Sequence, residues 1–225
     1  MTVFRLGDSL IFPPPHLADA DGLLAVGGDL SPQRLLLAYQ SGIFPWYSRQ
    51  TPILWWSLDP RLVLFPSELK VPKSLDRVMK KGLFRVTTDN AFGRVIQECA
   101  AVRRERGEGT WILPEMVDAY CRLHELGYAH SLEAWREGKL AGGLYGVSIG
   151  CVFFGESMFT RVTDASKAAL IHLIRSLDQW GYELVDCQMT TSHLQRFGAR
   201  ELPRSRFLAL LQKAVKKKPS SSSWR

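Results

Sequence analysis

The pattern of apolar and polar positions is clearest between residues 142 and 188, where it predicts a strand, a helix and a second strand. Apolar runs at 151–154 and 184–185 have the composition of buried strands. Between them, apolar residues from 168 to 177 recur every three or four positions, which is the spacing of one helix face. Such a crossover usually joins two parallel, neighbouring strands. We therefore expect this unit at the centre of the fold.

Polar side chains follow both predicted strands. Glu156 comes after the first apolar run, and Asp186 and Gln188 come after the second. Because parallel strands end at the same edge of a sheet, where open sheets hold their ligands, these three side chains are expected to converge. A single carboxylate at such a position is most often an ordinary solvent-facing residue, but three polar groups at matched strand ends favour a functional site.

Further elements are predicted on both sides of the central unit. Helices are expected at about 31–42, 74–81, 114–127, 192–196 and 205–217, and strands at 62–65, 129–135 and 140–147. A turn at 137–139 joins the last two strands into a hairpin that leads into the central unit. This hairpin therefore lies next to the predicted crossover in the chain.

Composition sets the size and the surroundings of this fold. The 225 residues, 46% of them hydrophobic, can bury a full core and suit one domain or one domain with a small appendage. The formal net charge of +7 makes a polyanionic partner worth testing, although many basic proteins bind nothing acidic. The four cysteines form no CxxC pair, and we expect them to be reduced. Neither a signal peptide nor a membrane-spanning run is evident, so we expect a soluble, cytoplasmic protein with no membrane partner.

Cationic side chains are concentrated in and around one predicted helix. These residues are Lys70, Lys73, Arg77, Lys80, Lys81 and Arg85. Their spacing of three or four places them on one side of the helix. A solvated helix face explains such spacing about as often as a nucleic-acid contact does. With the basic residues elsewhere in the chain, the charge suffices to neutralise several phosphates.

Several tryptophans lie beside loop-forming residues. Trp46, Trp55 and Trp56 fall within eleven residues, and Trp111 follows a glycine-flanked segment at 107–109. Tryptophan usually packs in a core, and at least one of the first three is expected there. Such a cluster next to proline and serine also suits the stacking of nucleic-acid bases.

Known cofactor and metal motifs do not match. His124-Glu125 and His130 are similar to part of a zinc-protease helix, but the histidines are six apart instead of four and Gly127 interrupts the helix, so no metal site is expected. No Ser or Cys has a neighbouring base in sequence, although a triad assembled in space stays open. The glycines at 142–150 do not form a GxGxxG fingerprint and there is no P-loop, so no nucleotide cofactor is expected.

Taken in order, these segments resemble the leucyl/phenylalanyl-tRNA protein transferases. The resemblance covers nearly the whole chain, through residues 21–32, 42–46, 55–61, 109–112, 123–135, 142–159, 165–170 and 186–188. It implies an α+β fold with a small N-terminal domain, residues 1–61, and a GNAT-like acyltransferase domain with a mixed central sheet, residues 62–218. The predicted hairpin and crossover agree with this mixed sheet. The serine-rich residues 219–225 are expected to form a disordered tail.

The resemblance also implies an activity. Such an enzyme moves Leu or Phe, and also Met, from aminoacyl-tRNA to the N-terminal α-amine of proteins that begin with Arg or Lys, which marks them for degradation. The donor ester is already activated, so the reaction needs positioning and proton removal but no cofactor, metal or enzyme nucleophile. The family implies a monomer. Two alternatives stay open: an acetyl-CoA-dependent N-acetyltransferase and a non-catalytic RNA-binding module.

Residue roles follow from the same resemblance. Asp186 is expected to polarise Gln188, which accepts a hydrogen bond from the incoming amine, while Glu156 helps to hold the substrates. Trp46 and Trp111 are expected to bind the terminal adenosine, and the cationic helix the acceptor stem. The transferred side chain is expected to enter an apolar pocket formed by Phe153, Leu170, Leu173, Leu177 and Val185. The preference between Leu and Phe stays open, because relatives are expected to carry aromatic residues at the second and third leucines of this set.

Overall fold

A computed structural model describes residues 3–105, 107, 110–220 and 224 of the chain. Among these residues, no helix has the length and apolar character needed to cross a membrane. The strands are β1 Phe4–Leu6, β2 Leu23–Gly27, β3 Phe44–Pro45, β4 Leu54–Trp56, β5 Arg61–Leu64, β6 Arg85–Thr88, β7 Ala129–Arg136, β8 Lys139–Ile149, β9 Val152–Thr160, β10 Leu184–Gln188 and β11 Arg200–Leu202. The α-helices are α1 Pro32–Gln40, α2 Lys73–Lys80, α3 Phe92–Glu105, α4 Pro114–Glu125, α5 Ala165–Gln179, α6 Ser192–Gln195 and α7 Arg204–Ala214.

The first four strands form a small sheet of their own, in the order β1-β2-β4-β3. Helix α1 follows β2 and lies within the predicted range of 31–42. At its start the Ser31 hydroxyl accepts a hydrogen bond from the Arg34 N–H, and Pro32 fills the first helical position. Trp55 is fully buried, which confirms that one tryptophan of the first cluster belongs to the core. This sheet and α1 make up the small N-terminal domain.

The second sheet has seven strands in the order β11-β5-β10-β9-β8-β7-β6. Strands β9 and β10 are parallel, with Val185 opposite Phe153, and α5 connects them. The other neighbouring pairs are antiparallel, so the sheet is mixed and the predicted α+β class is confirmed. Helix α5 begins at Ala165, and the Ser166 hydroxyl in its first turn contacts the Thr160 hydroxyl at 2.5 Å.

Each face of the large sheet is covered by a different set of elements. Helix α5 packs on one face together with α2. Helices α3 and α4 cover the other face and continue into the core of the N-terminal domain. Phe153 and Phe154 belong to the two opposite cores, as the two-residue period of a strand requires. The N-terminal domain is thereby packed onto the same face of the sheet as α3 and α4.

Two regions differ from the sequence expectations. Helix α3, which the sequence analysis did not predict, buries Val95, Ile96 and Cys99 against this second core. In the expected disordered tail, Trp224 instead stacks on His130, with 4.1 Å between the ring centroids. Residues 221–223 and Arg225 of that tail lie outside the described part of the chain.

Candidate functional site

The polar side chains at the ends of the two central strands meet where the strands part. Pairing between β9 and β10 runs from Leu184 opposite Val152 to Asp186 opposite Phe154 and then stops. Beyond this point the Gln188 side-chain amide donates a hydrogen bond to Glu156 Oε1 at 3.0 Å. The predicted convergence at one edge of the sheet therefore holds for the two strands.

Asp186 has a different contact from the one expected. Its carboxylate accepts two hydrogen bonds from the Arg61 guanidinium, at 2.8 and 2.7 Å, and both side chains are buried. It also accepts a hydrogen bond from the backbone N–H of Gln188 at 2.9 Å. The side-chain amide of Gln188 donates to Glu156 instead, so Asp186 does not polarise this amide as expected. The Arg61 guanidinium lies 4.7 Å from the ring centroid of Phe44 and 4.8 Å from that of Phe207. Asp186 thus fixes the backbone that carries Gln188.

A bulge in β10 directs the Gln188 side chain toward Glu156. The register against β5 shifts between Asp186 and Gln188, and Gln188 has a φ of 59°. Non-glycine residues adopt this left-handed conformation at a cost of about 1–3 kcal/mol, and bulges next to active sites commonly re-aim a side chain. The hydrogen bonds to Asp186 and Glu156 hold the strained residue in place.

Glu156 is surrounded by neutral hydrogen-bond donors. The Tyr39 hydroxyl donates to Glu156 Oε1 at 2.8 Å, and the Tyr120 hydroxyl donates to Oε2 at 2.9 Å. The two tyrosine hydroxyls also contact each other. Tyr39 comes from α1 and Tyr120 from α4, so the N-terminal domain contributes directly to the environment of this carboxylate.

Burial dominates the electrostatics of this cluster. It raises the pKa of Glu156 to about 7; the hydrogen bonds from Tyr39, Tyr120 and Gln188 oppose this, and the negative charge of Asp186 adds to it. Burial next to Glu156 also raises the pKa of both tyrosines well above the ordinary value, so both stay protonated donors. Near neutral pH the cluster can therefore bind or release one proton at Glu156.

A cavity of 260 Å³ lies in the gap between β9 and β10. Four of the five residues predicted for an apolar pocket line it: Phe153, Leu170, Leu173 and Val185. Leu177 does not line it; one turn further along α5, it is fully buried in the core. Glu156 and Gln188 form part of the cavity wall. The cavity therefore combines an apolar interior with a polar end.

A glycine on the neighbouring strand makes room for this cavity wall. A Cβ at Gly146 would lie 2.2 Å from the Phe154 carbonyl oxygen and 2.6 Å from the Phe153 ring. The Phe153 ring can therefore occupy its place in the wall only because position 146 has no side chain.

A second, larger depression of 800 Å³ adjoins the cavity. Trp46, Trp56 and Trp111 line it, and about 36% of Trp46 is exposed. Arg103 and Met189 line both this groove and the cavity, so the two adjoin at these residues. Of the glycine-flanked segment before Trp111, Glu108 and Gly109 lie outside the described residues.

The predicted cationic residues lie on the surface of one region. Lys70, Lys73, Arg77, Lys80, Lys81 and Arg85 are all exposed on α2 and its flanks. Lys80 bonds to Asp76 at 2.7 Å within the helix. The other cations of this region make the surface strongly positive.

Four residues of the site were not identified from the sequence: Tyr39, Arg61, Tyr120 and Arg103. Of these, Arg61 carried a usable signal, because it is a charged residue at the start of the apolar strand β5. The two tyrosines read as ordinary core positions of their helices. Their hydroxyls contact Glu156 only because α1 and α4 pack next to the sheet.

Known protein families and relatives match nearly the entire chain. The family model described as leucyl/phenylalanyl-tRNA protein transferase matches residues 63–212, and that of its N-terminal domain matches residues 28–59. A leucyl/phenylalanyl-tRNA–protein transferase from Syntrophobacter fumaroxidans is 63% identical over 224 residues, covering 100% of this chain and 96% of the relative. One from Desulforapulum autotrophicum is 54% identical and covers 100% and 98%.

Similar solved structures are much more distant. L-PGS from Bacillus licheniformis has a TM-score of 0.45 and 9% identity, covering 88% of this chain and 72% of its own. A GCN5-related N-acetyltransferase from Kribbella flavida has a TM-score of 0.39 and 11% identity, covering 77% and 61%. At these scores the structural likeness carries no argument about function.

Proposed function

Because this chain belongs to the leucyl/phenylalanyl-tRNA protein transferase family, we propose that Glu156 and Gln188 form the centre at which it transfers an amino acid. The chain is an enzyme that transfers Leu or Phe from aminoacyl-tRNA to protein N-termini. The observation that carries the residue assignment is the polar end of the 260 Å³ cavity, which opens into a tryptophan-lined groove.

The reaction needs one proton acceptor. The nitrogen of the acceptor α-amine attacks the ester carbonyl carbon, the bond from that carbon to the ribose oxygen breaks, and an amide bond forms. One proton leaves the amine, and the departing ribose oxygen takes one up. Glu156, with a pKa of about 7, can take the first proton and return the second, because a general base works best when its pKa lies near the working pH.

Gln188 orients the amine, and Asp186 acts through the backbone. The Gln188 amide nitrogen is engaged by Glu156, which leaves its carbonyl oxygen to accept a hydrogen bond from the incoming amine. Positioning of this kind can supply on the order of 7–11 kcal/mol, whereas a general base contributes about 10²- to 10⁴-fold. Single substitutions at the centre should therefore slow the enzyme and not abolish its activity.

The donor occupies the groove and the cavity together. The terminal adenosine stacks on Trp46 and Trp111, which is worth roughly 1–3 kcal/mol per base. Arg103 lies where the groove meets the cavity and suits a phosphate or ribose at the 3′ end. The exposed cations on and around α2 hold the acceptor stem through its phosphates, without reading sequence.

The apolar cavity selects the transferred side chain by shape. Leu, Phe and Met fit a space lined by Phe153, Leu173 and Val185, and β-branched residues are excluded. Such a pocket separates substrates that differ by one methylene by only about 1–3 kcal/mol. The protein acts as a monomer in the cytoplasm on acceptors that begin with Arg or Lys, which it marks for degradation. Because Asp186 is paired with Arg61, Glu156 is the carboxylate of the centre that can face such a cationic N-terminus.

A transfer assay tests the reaction class. The enzyme is incubated with labelled Leu-tRNA or labelled acetyl-CoA and a peptide that begins with Arg. Label should pass from the tRNA to this peptide and not to the same peptide with an acetylated N-terminus. Label from acetyl-CoA would instead support an N-acetyltransferase, and tRNA binding without transfer would support an RNA-binding module.

A second assay separates the two possible roles of Glu156. Transfer to Arg-initiated and Ser-initiated peptides is compared for the wild type and Glu156→Gln. If Glu156 takes the proton, both rates fall by a similar factor and the preference for Arg is kept. If only the Arg preference collapses, Glu156 recognises the acceptor side chain instead.

The pocket assignment has its own matched pair of variants. Leu173→Phe narrows the cavity and should lower the use of Phe-tRNA relative to Leu-tRNA by about 10-fold or more. Leu177→Phe adds the same volume one turn further along α5, outside the cavity lining, and should leave the ratio unchanged. Equal changes in both variants would remove Leu173 from the specificity pocket.

A further inference from the structure

Three potential metal ligands meet outside the transfer cavity. Asp89 follows β6, His124 lies near the end of α4, and His130 lies near the start of β7. One ligand atom from each residue can be chosen so that all three lie within 4.8 Å of one another. The cluster lines a pocket of 910 Å³ that shares no lining residue with the cavity or the groove.

We propose that Asp89, His124 and His130 bind one divalent transition-metal ion of the zinc class. Two imidazole nitrogens and a carboxylate oxygen form a donor set that zinc commonly takes, with water in the fourth position. Ligand atoms about 2.1 Å from a tetrahedral ion lie about 3.4 Å apart. The present spread of up to 4.8 Å must therefore shorten by about 1.4 Å, and the side chains can share this movement.

The carboxylate already lies between the two rings. Asp89 Oδ2 is 2.7 Å from His130 Nδ1, and Oδ1 is 3.8 Å from His124 Nδ1. The shorter contact is a hydrogen bond with one proton between the carboxylate and the imidazole. An incoming metal cation would replace that proton, which leaves to solvent, and would be held by the same two groups.

Backbone groups around the cluster form hydrogen bonds that fix the orientation of two of the three ligands, as is usual for the side chains that bind a metal. The backbone N–H of Ser131 donates to Asp89 Oδ1 at 2.8 Å, and His124 Nδ1 lies 2.8 Å from the Ala129 carbonyl oxygen. A carbonyl oxygen only accepts, so Nδ1 carries the proton in that hydrogen bond and Nε2 has the free lone pair; Nδ1 can bind the ion only if this hydrogen bond breaks. The His124 ring also stacks on Phe92, with 4.3 Å between centroids.

The ligands are both accessible and shielded. The exposed fractions of the Asp89, His124 and His130 side chains are 17%, 29% and 7%. An ion can therefore enter from the pocket, and once it is bound, little bulk water competes with these side chains for it. The sequence spacing does not reveal this site. His124 and His130 do not share a helix; Gly127, with a φ of 80°, turns the chain back so that the second histidine approaches the first from a strand.

A metal titration tests the proposal. The full chain is treated with EDTA, dialysed and titrated with Zn²⁺ by calorimetry at about pH 7.5. In a second experiment Co²⁺ replaces Zn²⁺ as a spectroscopic probe. We expect one ion per chain and a visible ligand-field band of tetrahedral strength. His124→Gln and His130→Gln should each weaken binding by at least about 10-fold and reduce the band.

Matched controls separate this site from others. His172→Gln removes an exposed histidine on α5, and Cys121→Ser removes a partly exposed thiol one turn before His124; both should bind as the wild type does. Thermal unfolding of each metal-free variant shows whether it is folded. If the histidine variants fail to fold, the Zn²⁺ affinity of Asp89→Asn and the Co²⁺ spectrum of the wild type still test the proposal. Unchanged affinity in the histidine or Asp89 variants, or no ligand-field band in the wild type, overturns the proposal.

Discussion

The raised pKa of Glu156 predicts a specific pH dependence of stability. The ordinary pKa of this carboxyl is 4.5, and burial in the folded protein raises the pKa to about 7. Between these two values the folded state holds a proton that the unfolded state has lost, so raising the pH destabilises the fold through this group. The full effect is about 3 kcal/mol, of which about 2 kcal/mol falls between about pH 5.5 and about pH 8.

Glu156→Gln removes this titration while it keeps the shape of the side chain. Its free energy of unfolding should therefore rise relative to the wild type by about 2 kcal/mol as the pH increases over that interval. A proton on Glu156 also completes a ring of hydrogen bonds with the Tyr39 and Tyr120 hydroxyls, in which each group both donates and accepts. The neutral amide retains part of this ring at every pH.

Urea unfolding of both proteins at several pH values measures the difference. Glu125→Gln, which removes an exposed carboxylate from the end of α4, controls for the general loss of a negative charge. A constant difference between Glu156→Gln and the wild type across the pH range would refute the reasoning. Glu156 would then titrate alike in the folded and unfolded chain, and its assignment as a proton acceptor near neutral pH would lose its basis.

Three further substitutions have distinct expected outcomes. Asp186→Ala leaves Arg61 buried without its partner and should cost about 3–5 kcal/mol in urea unfolding, whereas replacing both residues by Leu should recover most of that loss. Gln188→Gly removes the side chain from a left-handed position, so stability should hold or rise by a few tenths of a kcal/mol while the transfer rate falls about 10²-fold or more. Trp111→Ala should raise the KM for aminoacyl-tRNA by about 10-fold with little loss of thermal stability, and equal unfolding would return this residue to the core.

The sequence predicts the central unit because its signals are local. Apolar periodicity is enough to place β9, α5 and β10, and the parallel pairing then follows from general rules of chain connection. Glu156 and Gln188 could be chosen for the same reason, since strand ends are visible in the pattern. The fold class comes from the family resemblance, and these elements agree with it, as does the hairpin of β7 and β8.

The details of the site depend on contacts that a linear pattern does not contain. The partner of Asp186 is Arg61, which lies far away in sequence and approaches only because β5 pairs with β10. The bulge that re-aims Gln188 has no sequence marker such as glycine. The pocket prediction failed at Leu177 for a similar reason: helical spacing shows which residues face the sheet, but not where β9 and β10 part to leave a cavity.

The two carboxylates of the site have different functions because they have different partners. Asp186 forms an ion pair with Arg61, and this pair links β10 to β5. Glu156 faces only neutral donors, so its negative charge is solvated but not neutralised, and taking up a proton costs it no ion pair. Neighbouring acids with such different surroundings divide into a structural and a proton-accepting group. Because one of the donors to Glu156 comes from α1, this division exists only when the N-terminal domain is docked on the sheet.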